Sequence, residues 1–485
     1  MDFSLESGCR EFAWFLNMNM INNENLPSQY DQITDLLHST RAYLVGGAVR
    51  DLLLNRSVHD LDFALPENTI PAAKQVADQL GGSFFVLDQE RQTCRVILRD
   101  EEDQRLVVDF TLFRGNTIEE DLSSRDFTIT SMALDIQGDI QVIDPFQGAQ
   151  DLKDGLIRLT SESALEDDSL RCLRAVRLAA QLDFRILPET RDQIRRSQPG
   201  LEDVSPERIR DEFFRLLDGP NQSAGILSLQ MLGLYPYILP GELSPGRPRV
   251  LRNLETLWSL FLLDHDQERA ANWSRGLLVH RLGRYREIVR GYLDQELVPG
   301  RSIYQLTFLI SLLGDLQLGE IPESAQHIAQ QVPLSNQEAY FVAKGIKATG
   351  NWRNLTQGHG IAQPVEVYRF FNRFGQAGVA AIFLGLGEAL DNQQEEESRQ
   401  SWIESLDKAR YFLEGYWEHH LEWVDPPVLL DGYDIQQEFH IAPGPRIGSL
   451  LELLREEQVR SGLKSREEGL EFLKNQLSLS DGRDL

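Results

Sequence analysis

The chain is predicted to be α+β: a small mixed-sheet head followed by an all-helical neck, body and tail. Three observations predict this. From 41 to 158, short β-rich runs alternate with helix-like runs; from about 160 onward amphipathic helical patterns dominate; and the Pro/Gly-rich stretch PGELSPGRPR (240–249) marks a boundary. At 485 residues the chain is too long for one ordinary core, so two to four domains are expected.

Taken in order, residues 1–37 read as an N-terminal extension with a short helix: a Trp/Phe patch precedes an Asn-rich stretch, NMNMINNENLPSQ. The head spans 38–158. Its strands are expected at 42–45, 60–65, 83–87, 93–98, 105–113, 131–136 and 140–143, and its helices at 48–54 and 69–80. A helical neck follows over 159–225. Within it SPERIRDEFFRLL carries start signals: Ser205 can cap, Pro206 suits the first helical position, and Glu207 sits in the first turn. The body covers 226–427, with another helix start at PLSNQEAYFVAKGIK (333–347), and the tail covers 428–485. Trp14, Trp258, Trp273, Trp352, Trp402, Trp417 and Trp423 fall mostly at helical spacing and are expected in the core.

Composition excludes several classes. With 41% hydrophobic and 25% charged residues the chain reads as an ordinary soluble protein. It has no run of eighteen apolar residues, so no membrane span or membrane partner is expected. The start, MDFSLESGCREFAWF, lacks the basic, apolar pattern of a signal peptide. Cys9, Cys94 and Cys172 have no metal spacing and read as reduced structural thiols, so a cytoplasmic location is expected. The net charge of −27 argues against tight, unspecific binding to long nucleic acid, DNA included. Arginines crowd 158–215, but acids are equally frequent there.

The most informative stretch is YLVGGAVRDLLLNRSVHDLD (43–62). A β-rich run enters Gly46-Gly47, where no side chain blocks close approach of a phosphate to the backbone. A helix N-terminus behind the pair adds N–H donors, and Arg50 follows. Asp60 and Asp62, on a strand, point to one face. Two hard oxygen ligands facing a triphosphate suit a Mg²⁺ site, and the set suggests nucleotidyl transfer. Asp109, inside the apolar strand RLVVDFTLFR, is costly unless paired or metal-bound, so it is expected to complete a three-carboxylate cluster. Two Mg²⁺ ions there could activate a 3′-hydroxyl and stabilise leaving pyrophosphate.

Seven segments then occur in order: GGAVRD (46–51), DLD (60–62), VDF…R (108–114), EEDLSSRDFTITSMA (119–133), DPFQGAQDLKDGLIR (144–158), DDSLRCLRAVRLAAQLDF (167–184) and SPERIRDEF (205–213). Together they resemble the class II tRNA nucleotidyltransferases and bacterial poly(A) polymerases, over 41–220 and again over 428–474. The resemblance implies addition of C, and with it A, to the tRNA 3′ end from CTP and ATP, with loss of pyrophosphate. It implies triphosphate contacts from Gly46, Gly47 and Arg50, metal ligation by Asp60 and Asp62, and nucleotide contacts from Arg125 and Asp126, the latter on the ribose. Spacings of three place Asp168, Arg171 and Arg174 along one helical face. A carboxylate and an arginine can read the edges of C and A, and the resemblance gives that task to this helix. Arg174 and Arg177 would add phosphate or base contacts.

Departures leave alternatives open. Ser124, Thr130 and Ser131 replace the Arg, Asn and small residue of the family's RRDFTINAMA, and Asp167 replaces a Glu. Only GNTI (115–118) stands where many members carry a longer loop that helps switch from C to A, so CC-only addition stays open. Poly(A) synthesis and a non-catalytic RNA-binding role also remain. Relatives with this tail often insert a His-Asp phosphohydrolase domain. Here Gly314 stands at the His position, His265-Asp266 is isolated, and the body reads as a silent, degenerate copy shaped to hold the tRNA acceptor arm. His359, His419 and His420 read as surface or structural residues, and the acidic run around 394–398 as a solvated helix face.

Overall fold

The computed structural model describes residues 23–99, 103, 105–137, 141–262, 273–316, 318–358, 362–390 and 396–481. Cys9, Trp14, His265-Asp266, His359 and the start of the acidic run lie outside these residues. The chain divides into two compact units: Met1–Pro220 with Ser228–Tyr237, and Asn221–Leu227 with Ile238–Leu485.

The first unit is built on a seven-stranded sheet. Its strands are β1 (Tyr43–Val45), β2 (Asp60–Leu65), β3 (Ser83–Asp88), β4 (Thr93–Arg99), β5 (Arg105–Leu112), β6 (Ala133–Asp135) and β7 (Val142–Ile143). Their order is β3-β4-β5-β2-β1-β6-β7. Only the β2–β5 pair is parallel. Period-two patterning decides which face is covered. On β4, buried Cys94, Val96 and Leu98 alternate with half-exposed Thr93, Arg95 and Ile97; on β5, buried Leu106, Val108 and Phe110 alternate with Val107, Asp109 and Thr111.

Helices of this unit are α1 (Tyr30–Leu37), α2 (Gly47–Leu53), α3 (Thr69–Leu80), α4 (Ile118–Ser123), α5 (Gly148–Asp154), α6 (Ala164–Asp167), α7 (Arg171–Leu182), α8 (Pro188–Ser197) and α9 (Pro206–Asp218). Helix α3 packs on β3, β4 and β5, burying Ala72, Ala73, Val76 and Ala77. Small residues on that face let helix and sheet approach closely, and α1 packs against α3 in turn. The opposite face of these strands carries the polar residues, including Asp60, Asp62 and Asp109.

Three sequence expectations are corrected. The strand over 131–136 shrinks to Ala133–Asp135, because Thr128–Thr130 forms a 3₁₀ turn. Thr130 Oγ1 donates to Asp126 Oδ1 at 2.7 Å and ties that turn. Ser205 does not cap α9 with its side chain; its carbonyl accepts from Arg208 N (3.0 Å) and Ile209 N (3.3 Å), while Pro206 starts the helix as expected. The last head strand begins at Val142.

The second unit is helical apart from a small hairpin, Glu296–Val298 with Arg301–Ser302. Three of its tryptophans are core residues: Trp258 packs on Phe383 at 4.8 Å between centroids and Trp352 on Phe412 at 5.2 Å, and Trp402 is fully buried, whereas Trp417 and Trp423 are half-buried. Ser335 and Glu338 form a capping box for the helix Asn336–Gln357. The tail has its own apolar cluster of Leu430, Ile435, Ile447, Leu450, Leu454 and Leu473. Among the described residues no helix is long and apolar enough to cross a membrane.

Gly148, at the start of α5, abuts the 3₁₀ turn. A Cβ there would run into the Thr128 carbonyl, 2.8 Å from its carbon and 3.1 Å from Met132 Cγ. Backbone cannot swing aside as a side chain can. Gly148→Ala is therefore expected to cost about 1–3 kcal/mol, read as a lowered Tm; an unchanged melting curve would refute the packing described.

Candidate active site

The site begins at the β1–α2 turn. Gly46 has φ +75°, which a side chain resists. A Cβ on Gly46 would also lie 3.2 Å from Arg125 Nη1 and 3.4 Å from Asp62 Oδ2. The Gly-Gly backbone thus runs directly past a carboxylate and a guanidinium. Helix α2 is only seven residues long, so close backbone approach matters here more than its dipole. Arg50, almost fully buried, folds back toward the turn: its Nη2 is 3.6 Å from where a Gly47 Cβ would be. It donates from Nε and Nη2 to both oxygens of Asp51, each at 2.8 Å.

Strand β2 carries Asp60 and Asp62 on the uncovered face. Its parallel register with β5 sets Asp62 beside Asp109 and Asp60 beside Val107. All three expected carboxylates are neighbours, but they do not form a three-carboxylate ligand set. Arg95 Nε and Nη2 donate to both oxygens of Asp109 at 2.7 Å, from the directly opposed position on β4. The physical reason is the one that made Asp109 conspicuous: a carboxylate on an apolar strand needs a counter-charge, and β4 supplies it. Among the described residues no three His, Cys, Asp or Glu side chains converge as a metal site.

Among the described residues Asp60 and Asp62 have no such ion-pair partner. Burial pushes the Asp62 carboxyl up to about 6; Asp109 and Asp60 push the same way, and Arg125 only partly opposes them. Asp60 is also raised, by burial and then by Asp109. Two hard oxygen donors on one strand face, crowded by like charge, fit a divalent cation with its remaining positions filled by phosphate oxygens or water.

Behind this dyad, Arg125 is aimed by α4. Its Nε and Nη2 donate to buried Asp121 at 3.1 and 3.0 Å, and Asp121 also accepts from Arg114 N at 3.1 Å. Asp126, which the resemblance puts on a ribose, is buried and hydrogen-bonded within the protein. It accepts from Phe127 N (3.0 Å), Thr130 Oγ1 (2.7 Å) and Arg174 Nε (2.7 Å). Burial alone would raise its pKa, but Arg174 and Thr130 outweigh it and hold the carboxyl below its usual range.

The neck departs from expectation in a similar way. Asp168 is not on the helix with Arg171 and Arg174; it sits at the α6–α7 junction in extended conformation, and α7 starts at Arg171. Its Oδ2 accepts from exposed Arg208 at 2.7 Å. Arg171 is buried and donates to the carbonyls of Ala164 (3.0 Å) and Ser124 (2.9 Å). Arg177 pairs with buried Glu212 of α9 and donates to Gln181 at 2.9 Å. Gly46, Gly47, Arg50, Asp60, Asp62, Asp109 and Arg125 therefore gather at the head. Asp126, Arg171 and Arg174 form braces between head and neck elements, Arg177 ties two neck helices together, and Asp168 is a half-buried acid at the start of the neck.

Sequence reasoning missed Asp121, Arg95 and Glu212. The i,i+4 spacing of Asp121 and Arg125 was a usable signal; the Arg95–Asp109 pairing depended on strand register. In the second unit, Gly314-Asp315 packs against Arg247, whose buried guanidinium pairs with Asp315 and lies 3.7 Å from Glu388. A fixed cation serves those acids.

A carboxyl whose pKa is higher folded than unfolded holds its proton more tightly in the fold. Asp62 thus opposes folding above pH 6 and ceases to do so near pH 4. In metal-free buffer, Asp62→Asn is expected to raise stability at pH 8 by up to about 3 kcal/mol and by almost nothing near pH 4. Denaturant melts across this range check it; a pH-independent difference would contradict it.

Two family models match: the poly A polymerase head domain over residues 42–158, and the probable RNA- and SrmB-binding site of polymerase A over 183–242. A CC-adding tRNA nucleotidyltransferase of Geobacter sulfurreducens is 32% identical over 90% of this chain and 92% of its own length. An A-adding tRNA nucleotidyltransferase of Deinococcus radiodurans is 28% identical over 89% and 94%. The fold matches a Bacillus stearothermophilus CCA-adding enzyme solved with CTP, with a TM-score of 0.62 at 23% identity, covering 94% of this chain and 98% of that one. From the head geometry and the full-length likeness together, the chain belongs to the class II family of CCA-adding enzymes and bacterial poly(A) polymerases, and is a nucleotidyltransferase.

Proposed function

We propose that this enzyme adds cytidines to the 3′ end of tRNA from CTP, using Mg²⁺, and stops after the second C. The observation that carries the stop is the β5–α4 connection. Only Phe113 to Thr117 join the strand to the helix, and they are pinned. Asn116 N donates to Glu120 Oε2 at 2.6 Å, Thr117 Oγ1 accepts from Glu120 N at 3.3 Å, and Arg114 N donates to Asp121. A longer, mobile loop is what the family resemblance associates with the change from C to A, and this connection has no slack for such a change.

The chemistry follows from the dyad. Asp60 and Asp62 would hold Mg²⁺, which supplies charge neutralisation for the phosphates and acidifies the attacking hydroxyl. The tRNA 3′-hydroxyl gives its proton to solvent, its oxygen bonds to the α-phosphorus, the bond to the bridging oxygen breaks, and pyrophosphate leaves with the electron pair. Backbone N–H groups at Gly46 and Gly47, with Arg50 and Arg125, hold the β- and γ-phosphates. Positioning and charge stabilisation supply most of the rate. Asp109, neutralised by Arg95, supports the dyad rather than binding metal. Asp168 is the neck group placed to accept from a base amine, by exchanging Arg208 for it. Arg171 fixes the junction around it, and Asp126, Arg174 and Arg177 hold the frame. The domain limits proposed are head 38–158, neck 159–225, body 226–427 and tail 428–485, with the body holding the acceptor arm.

The test is extension of three tRNA transcripts, ending before the first C, after one C and after two, each given CTP, ATP or both with Mg²⁺. Two additions of C and none of A are expected. A completed CCA end would overturn the loop argument, long A tails would assign poly(A) synthesis, and no incorporation anywhere would assign a non-catalytic RNA-binding role.

A further inference from the structure

In-line displacement fixes a direction across the sheet. The attacking oxygen and the departing pyrophosphate lie on opposite sides of the α-phosphorus. The groups suited to the pyrophosphate, Gly46, Gly47 and Arg125, lie on the β1 side of Asp62. The RNA end must then arrive from the other side, over β5, β4 and β3.

The uncovered face on that side has a continuous cross-strand row. Asp62 on β2 stands beside Asp109 on β5, Asp109 opposite Arg95 on β4, and Arg95 opposite Phe85 on β3. Directly paired residues share a face, so all four side chains rise on the same side of the sheet. The next row runs from Asp60 through Val107 and Ile97 to Ser83, flat and half-apolar.

Phe85 is 48% exposed, on the edge strand. Edge strands of this kind ordinarily carry charge that discourages contact; here Phe85, Val86 and Leu87 are all exposed. Arg95 uses Nε and Nη2 on Asp109, and its side chain remains 38% exposed, so Nη1 is left for another acceptor. A ring that stacks on a base beside a cation that takes a phosphate is the usual platform for an unpaired RNA strand. Three strand spacings, about 14 Å, separate Asp62 from Phe85, and the intervening residues are those two rows.

We infer that Phe85 and Arg95 receive the unpaired 3′ end of the tRNA, Phe85 by stacking on a base and Arg95 by contacting a backbone phosphate, so that the terminal hydroxyl is delivered to Asp60 and Asp62. The platform rests on the nucleotidyl-transfer reading above. Its occupant is single-stranded RNA because the face is continuous with the dyad and pairs an aromatic with a cation. Arg95 has a second effect: by holding Asp109 it keeps that carboxylate from repelling the incoming phosphate.

The test uses the full chain with Phe85→Ala and Phe85→Trp, and tRNA ending after the first C, which leaves two unpaired nucleotides at its 3′ end. Phe85→Ala is expected to raise KM for tRNA about tenfold or more and to leave KM for CTP unchanged, and Phe85→Trp is expected to restore the tRNA value. A purely structural residue would not split the two constants. A second readout needs no turnover: 2-aminopurine at the penultimate position of that tRNA should be quenched on binding wild type and unquenched on Phe85→Ala. An unchanged KM for tRNA, an equal rise in both constants, or quenching that survives the substitution would overturn the platform. If wild type itself adds nothing to any RNA, the functional reading has failed and the platform falls with it.

Discussion

The constraint on which the head depends is like charge gathered on one sheet face. The parallel register of β2 and β5 sets Asp62 beside Asp109, with Asp60 two residues along. An apolar layer of Leu61, Phe63, Val108 and Phe110 lies beneath them on the covered side. Such an arrangement costs folding energy unless each charge is answered. Asp109 is answered by Arg95. Asp62 is answered only partly, by Arg125, and is left with a raised pKa. A cation bound there would relieve that residual repulsion, so in the proposed mechanism the structural cost and the catalytic use have the same origin.

Around this centre the other ion pairs are arranged as supports. Asp121 aims Arg125, Asp126 with Thr130 and Arg174 locks the turn that follows, and Glu212 with Arg177 ties α9 to α7. Each buried acid has a cation from a different element or turn, so removing one partner would strand a charge in the interior.

The head was legible because its signals are local. Alternation on β4 and β5, the Gly-Gly turn and the Asp-x-Asp pair all act within a few residues, and the structure sets Gly46 beside Asp62; Arg125, which only the family resemblance pointed to, lies beside the same turn. What sequence could not show is partner choice by long side chains. Arg171, Arg174 and Arg177 have the spacing of a reading face, yet two of them end on buried acids and one on backbone carbonyls, because the acids and carbonyls come from elements far away in sequence. Asp168 escaped the helical-face argument since the chain breaks between α6 and α7, a break without a Gly or Pro to announce it. Ser205 makes no side-chain cap although the helix begins at Pro206 as expected.

In the proposed mechanism two carboxylates, Asp60 and Asp62, hold the cation, and Asp109 is committed to Arg95. Mn²⁺ binding followed by electron paramagnetic resonance, with CTP present, tests it most directly. Asp60→Ala and Asp62→Ala should each weaken Mn²⁺ binding about tenfold or more, while Asp109→Asn should change it by less than about threefold, both converted at about 1.4 kcal/mol per decade. If Asp109→Asn abolishes binding as the other two do, the carboxylates act as a three-member ligand set and the division of roles described here is wrong.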